Sequence, residues 1–128
     1  MALTVSGLEE LTPVMIHETE AGGTDSAAAA EATQDVRGGA CTLYGVLVAN
    51  AWTVAAYVKI YDAAAVTVGT TVPDMIFVIP ASTTAYMPIN GVAGQPMLTG
   101  LSMVAVTAAG TAGTAPDDAA CAVTLFSS

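Results

Sequence analysis

The stretch from Met75 to Pro116 carries no charged residue, yet its prolines exclude the helix that such a run could otherwise form. Pro80, Pro88 and Pro96 recur along it, and each would remove a backbone hydrogen bond and clash with the preceding turn inside a helix. A long uncharged run is also the usual sign of a membrane helix. We therefore expect short strands and turns here, and no membrane span.

Hydrophobic alternation predicts strands elsewhere in the chain. In the segment 53–62, Val54, Ala56, Val58 and Ile60 share one face, and the residues between them share the other. Turn-forming Gly, Thr, Pro and Asp separate this segment from similar ones. These similar segments are 41–49, 75–79, 84–88, 101–108 and 120–126. The pattern predicts an all-β fold, an antiparallel β-sandwich or jelly roll.

The acidic residues divide the chain into two parts. Residues 1–37 contain seven of the eleven acids, namely Glu9, Glu10, Glu18, Glu20, Asp25, Glu31 and Asp35. The glycine- and alanine-rich segment 20–39 is low in complexity, and a helix capped by Ser26 would be short and marginal. We predict a flexible, mostly extended N-terminal arm over 1–37, with one short strand near Leu11–Ile16, and a single β-domain over 38–128.

The overall composition excludes some partners and favours others. The net charge is −9, with Arg37 and Lys59 as the only basic residues apart from one histidine, so nucleic-acid binding is not expected. Charged residues make up 10% of the chain, well below the usual quarter, while hydrophobic residues reach 54%. A domain of this size cannot bury so many apolar side chains, so part of its surface should be an interface with itself or with a larger assembly.

No residue pattern indicates catalysis or a cofactor. His17 lies beside Glu18 and Glu20, but no second histidine accompanies it, and these positions on a strand would splay metal ligands apart. No Ser, Thr or Cys has the local signature of a nucleophile, and the glycine-rich segment 110–118 lacks the lysine of a phosphate-binding loop. We expect no enzyme activity, no cofactor and no metal.

Two further possibilities involve acids and thiols. Asp74 with Asp117 and Asp118 would offer only three carboxylates to a calcium ion, which wants six to eight oxygen ligands. Cys41 and Cys121 begin the first and last strong strand patterns and could be neighbours in a sheet. Without a secretory signal we expect free thiols rather than a disulfide.

The single lysine stands mid-strand between two tyrosines. Tyr57, Lys59 and Tyr61 share the face opposite the aliphatic residues, where the lysine stem can lie along the tyrosine rings while its ammonium stays in water. The residue is either a solvated strand lysine or part of an interface patch. Trp52 with these tyrosines offers another reading, a stacking surface for a sugar ring. Tyr57, Lys59, Tyr61 and Trp52 are therefore the candidate interface residues.

Three segments of the chain resemble a known family of proteins. The segments "TLYGVLVANA", "AAYVKIYDAAAVTVGTTVPDMIFVIPA" and "LSMVAVTAAGTAGTAP" resemble small virion proteins of tailed double-stranded DNA bacteriophages. The likeness is to the group that decorates or cements the outside of the head, and it covers about residues 37–125. The acidic arm does not take part in it.

The resemblance implies a structural protein on the virion. Such proteins are β-sandwiches or jelly rolls, form dimers or trimers at symmetry axes of the shell, and carry no catalytic residues. It implies assembly in host cytoplasm, location on the outer surface of the head, and two partners, the major capsid protein and the chain itself. We favour a homotrimer over a dimer. A tail, neck or fibre component and a carbohydrate-binding β-module are the alternatives.

Overall fold

Eight β-strands and no helix make up the part of the chain that the computed structural model describes, residues 14–20, 32–91, 93–111 and 121–128, the first range by its backbone alone. The strands are β1 (Val14–Glu20), β2 (Cys41–Asn50), β3 (Ala56–Asp62), β4 (Met75–Ile79), β5 (Thr83–Pro88), β6 (Gln95–Met97), β7 (Leu101–Val106) and β8 (Cys121–Ser127). The predicted all-β class is confirmed. No helix long and apolar enough to cross a membrane occurs in these ranges.

The strands form two antiparallel sheets. The larger sheet has the order β1-β8-β2-β5, and β6 pairs with the same strand, β2. The smaller sheet has the order β4-β3-β7. Of these strands, β6 is the one that the sequence pattern did not predict, because three residues with a central proline are too short to show alternation.

One hydrophobic cluster joins the two sheets. Its buried members come from β2, β6 and β8 of the larger sheet, from β3, β4 and β7 of the smaller one, and from the segments between strands. The face predicted for Ala56, Val58 and Ile60 is fully buried, but burial does not alternate along β3, because Lys59 and Tyr61 of the other face are fully buried as well. Val54, expected on the same face, lies before β3 begins and is half exposed.

A buried amide organises the corner between β2 and β3. Asn50 is almost fully buried, and its side-chain Nδ2 donates to the carbonyl oxygens of Val54, Ile79 and Pro80 at 3.0–3.2 Å. Its Oδ1 accepts the Trp52 amide at 2.9 Å. One side chain thus ties the end of a strand of the larger sheet to the end of β4 in the smaller sheet.

The described parts of residues 1–37 are hydrogen-bonded to the rest of the chain. The strand β1 pairs with β8, with His17 opposite Leu125, and lies a few residues later than the strand predicted near Leu11–Ile16. Thr33 exchanges backbone hydrogen bonds with Met103 of β7. The boundary placed after residue 37 stays a prediction, and the short helix considered after Ser26 lies outside the described residues.

The two cysteines lie at opposite ends of β2. Cys41 begins that strand, whereas Cys121 pairs with Asn50 at its other end, about 30 Å away at the rise of an extended strand. Both thiols are free, as expected. The two strands that carry them are neighbours, but the two cysteines, which could have been neighbours, are not. Burial raises the pKa of Cys121 to about 11, and burial is also the main cause that raises the pKa of Cys41.

Candidate functional site

The predicted lysine–tyrosine patch lies on one face of the smaller sheet, but most of it is not accessible. Lys59 is paired with Ile76 of β4 on one side and with Val104 of β7 on the other. Lys59 and Tyr61 are 0% exposed, and Tyr57 is partly buried. The expected ammonium in water and the expected exposed patch are therefore wrong for Lys59 and Tyr61.

Exposure on this face, here called the Lys59 face, changes from one strand to the next. On β7, Ser102, Val104 and Val106 are buried. On β3, Lys59 and Tyr61 are buried as well. On β4, by contrast, Ile76 is 39% exposed and Val78 57%. The accessible part of the Lys59 face is thus its β4 margin.

Two described segments pack beside β7 on the Lys59 face. The hydroxyl of Ser102 donates to the carbonyl of Ala63 at 2.5 Å and accepts the amide of Asp35 at 2.9 Å. The side-chain amide of Gln34 both donates to and accepts from the backbone of Val66, each at 3.2 Å. These contacts hold residues 33–36 and 63–66 against the buried half of the sheet.

Burial changes the proton affinities of the two central side chains. It lowers the pKa of Lys59, because the charged ammonium loses hydration, and it raises the pKa of Tyr61, because the phenolate would lose hydration. Lys59 has an interaction partner within the chain, whereas the Tyr61 hydroxyl has none among the described residues. Both side chains are therefore enclosed within this chain and are not part of its surface.

Trp52 does not form a sugar-binding surface. Its side chain is 1% exposed in the corner held by Asn50, and its carbonyl accepts the Ser82 amide at 3.0 Å. A ring enclosed in this way cannot stack on a ligand, so that interpretation of Trp52 with Tyr57 and Tyr61 is wrong. The ring belongs to the hydrophobic cluster instead.

The most accessible apolar feature of the smaller sheet is the edge formed by Val72, Ile76 and Val78, here called the apolar edge. Val72 is 72% exposed and lies just before β4, at the same alternation as the other two, with the exposed Asp74 between it and Ile76. β4 pairs with β3 along one side, and no described strand pairs with its other side. Natural edge strands are protected by lysines, prolines, bulges or inward charges, and Met75–Ile79 contains none of these.

Sequence reasoning missed the apolar edge because the segment is apolar at every position. The run "MIFVI" gives no alternation that would separate a covered face from an open one. The one usable signal was the lack of any charged residue or proline within the predicted strand, since Asp74 and Pro80 lie just outside it.

An acidic cavity of about 260 Å³ lies at the C-terminal end of β3, which is Asp62. Asp62, Asp74, Met75, Gln95, Pro96 and Met97 line it. The Asp62 carboxylate accepts the backbone amides of residues 98, 99 and 100, at 2.9, 2.7 and 3.2 Å, and Asp74 Oδ2 accepts the Asp62 amide at 2.6 Å. Both carboxylates thus join β3 to the loops beside it. Asp117 and Asp118, considered with Asp74 for calcium, lie outside the described residues, and no three potential ligands converge within those that are described.

Asp62→Asn should destabilise the protein at neutral pH by about 1–2 kcal/mol, because the backbone amides lose a charged acceptor. The amide of Thr99, followed by that of Leu98, lowers the pKa of Asp62 from its ordinary value of 3.8. The carboxylate therefore stabilises the fold above pH 3.8, and this contribution is lost as the pH falls through the lower, folded-state pKa. Urea unfolding of both proteins between pH 2 and 7 would measure the difference, which should shrink at the acid end. A difference that does not change with pH would contradict the assigned hydrogen bonds.

Comparison of the chain with protein-family models, with curated proteins and with solved structures gave no match.

Proposed function

We propose that this protein is a structural virion component that decorates and stabilises the outside of a phage head as a symmetric oligomer. We further propose that its two sheets are the layers of an antiparallel β-sandwich or jelly roll. The observation that carries the proposal is the apolar edge: Ile76 and Val78 are exposed on an edge strand that contains no charge or proline, and Val72 is exposed just before that strand, beyond Pro73 and Asp74. No catalytic role is proposed for any residue.

The apolar edge supports an assembly role because of its position. Single exposed apolar side chains are ordinary on a protein surface, but a row of them beside unpaired backbone invites another chain. In a chain with only 10% charged residues, little of the surface counteracts such contacts. A protein that remains attached to a lattice would keep this edge covered.

The second partner of the proposal is the major capsid protein. Six of the eleven acids, Glu9, Glu10, Glu18, Glu20, Asp25 and Glu31, precede residue 32. We propose that they contact basic residues of the shell. Each contact of this kind is weak in physiological salt, and several subunits of one oligomer would combine them through multivalency.

Binding of the purified protein to expanded heads that lack it would test the proposal. We expect saturation at a fixed number of copies per shell, and weaker binding at higher salt. A variant with Glu9→Gln, Glu10→Gln, Asp25→Asn and Glu31→Gln leaves the positions of β1 unchanged and should reduce the affinity by roughly tenfold or more. A variant with Asp117→Asn and Asp118→Asn, which removes two negative charges, is the control for the matching double variant Glu9→Gln and Glu10→Gln. The control should bind nearly as well as the unchanged protein, and the double variant should bind less tightly.

Failure to bind heads would overturn the decoration role and favour a tail, neck or fibre component instead. A carbohydrate-binding role has less support, because Trp52 is buried. The exposed aromatic ring, that of Tyr86, meets Phe126 edge-on at 5.8 Å and 85° instead of forming a flat platform with it.

A further inference from the structure

We propose that two copies of this chain associate through β4, whose free edges pair antiparallel about Phe77 and join the two smaller sheets into one continuous six-stranded sheet. This inference specifies the self-association within the proposed function, and it rests on that proposal only for its role on the head. The occupant of the apolar edge is therefore a second copy of the same edge.

The register of β4 makes the strand complementary to itself. All five of its residues pair with β3, from Met75 opposite Ile60 to Ile79 opposite Ala56, without a bulge. The strand is therefore regular, as the addition of another strand requires. In an antiparallel pair centred on Phe77, Ile76 of one copy lies opposite Val78 of the other, and the reverse.

This pairing brings together the side chains that the single chain leaves exposed. Residues directly opposite each other in an antiparallel pair lie on the same face, and β-branched pairs in that position are favourable. A slip of one residue would place Ile76 opposite a residue of the other face, so it is disfavoured. Slips of two residues keep the faces but shorten the overlap.

The charge distribution selects a second copy in this orientation. The chain carries a net charge of −9, so two copies should meet where acids are absent, and β4 is such a place. Asp74 precedes the strand, and in the antiparallel pair it lies opposite Pro80 of the other copy. The two Asp74 positions are then about 20 Å apart, beyond the screening length in physiological salt. A parallel pair would instead bring the two carboxylates together.

The size of the contact sets the expected affinity. Val72, Ile76 and Val78 together expose on the order of 300 Å² in each copy, and the pairing itself covers only the part on Ile76 and Val78, so the seam is smaller than a stable specific interface and has the size of a weak, transient contact. We therefore expect a weak dimer that forms at high protein concentration and dissociates on dilution. Because a strand paired with its own copy forms an isologous contact, the seam closes at two copies, in contrast to the trimer favoured from the sequence.

Sedimentation velocity of the full chain over a range of concentrations tests the dimer. Ile76→Lys should raise its dissociation constant by roughly tenfold or more, because a lysine would enter the seam. Leu98→Lys is the matched control: Leu98 is 77% exposed, lies outside β4, and should leave the dimer unchanged. Hydrogen exchange of the β4 amides in the unchanged protein should slow as the concentration rises, which avoids any doubt about the folding of a variant.

Cysteine cross-linking tests the register. In a Cys41→Ser background, Ile76→Cys and Val78→Cys proteins should form a disulfide-linked heterodimer when mixed, and far less of either homodimer. A monomer at all concentrations, a trimer, or homodimers as abundant as the heterodimer would overturn the proposed seam. Head binding distinguishes the two proposals. A dimer that does not bind heads would support the seam and contradict the decoration role. A monomer that coats heads would support the decoration role and contradict the seam.

Discussion

Asn50→Ala should lower the free energy of unfolding by about 3 kcal/mol or more, since several buried backbone groups lose their hydrogen-bond partner at once. The carbonyls of Val54, Ile79 and Pro80 and the amide of Trp52 all bond to this one side chain. The loss would also release the corner that encloses the Trp52 ring. Urea denaturation followed by the fluorescence of the single tryptophan would measure both effects.

Two further variants show whether the hydrogen bonds or the packing are responsible. Asn50→Asp keeps the shape but replaces the amide donor by a carboxylate facing three carbonyl oxygens, so we expect it to be at least as destabilising as alanine. Thr53→Ala, at an exposed position in the same corner, should change the stability by no more than about 0.5 kcal/mol. A mild Asn50→Asp variant would contradict the role given to the amide.

Gly94→Ala should destabilise the protein by about 3 kcal/mol, the sum of backbone strain and overpacking. Gly94 precedes β6 with a φ of +74°, and a Cβ there would lie 2.7 Å from Thr42 Cγ2 and 2.9 Å from the carbonyl oxygen of Leu43. The backbone oxygen cannot move away without disturbing β2. We therefore expect β6 to detach from that strand or the whole domain to lose stability.

Gly91→Ala is the matched control for this prediction. Gly91 has a similar φ of +61°, but a Cβ there would meet no atom within 4 Å. Its substitution should cost only the backbone strain, about 1 kcal/mol. Equal losses of stability in the two variants, measured by thermal and urea unfolding, would show that the contact with β2 does not matter.

The burial of Lys59 and the exposure of β4 are two aspects of one arrangement. The Lys59 face is covered over β7 and most of β3, and its remaining open part is the apolar edge. Two of the side chains expected to contact another molecule, Lys59 and Tyr61, are thus buried within the chain, and the neighbouring strand carries the exposed surface. The proposed seam would extend the same sheet beyond that open margin.

The strands were predictable where local chemistry determines them. The segment 75–79 was predicted with the bounds it has in the structure, and the segments that became β2, β3, β5, β7 and β8 differ by three residues or fewer at their ends. Prolines, glycines and period-two alternation act within a few residues, so they can be read without knowledge of the fold. β6 was not predicted, because it is a strand by virtue of its pairing with β2 and its own sequence shows no strand pattern.

The candidate site was predictable only in part. Alternation placed Tyr57, Lys59 and Tyr61 on one face, and the structure has them there, next to Ile76 and Val78. Whether that face is open depends on which other segments pack on it, and contacts such as those of Ser102 with Ala63 and Asp35 join residues far apart in sequence.

By itself, the sequence determined the all-β class, the positions of most strands, the scarcity of basic residues, and the surplus of apolar side chains. Only the tertiary structure decided which of those side chains stay exposed, how far apart the two thiols lie, and that a lysine is buried while an aliphatic strand edge is open. The physical reason is that strand propensity is a local property of the backbone and its side chains. Burial, in contrast, depends on which distant segments come to lie against each face.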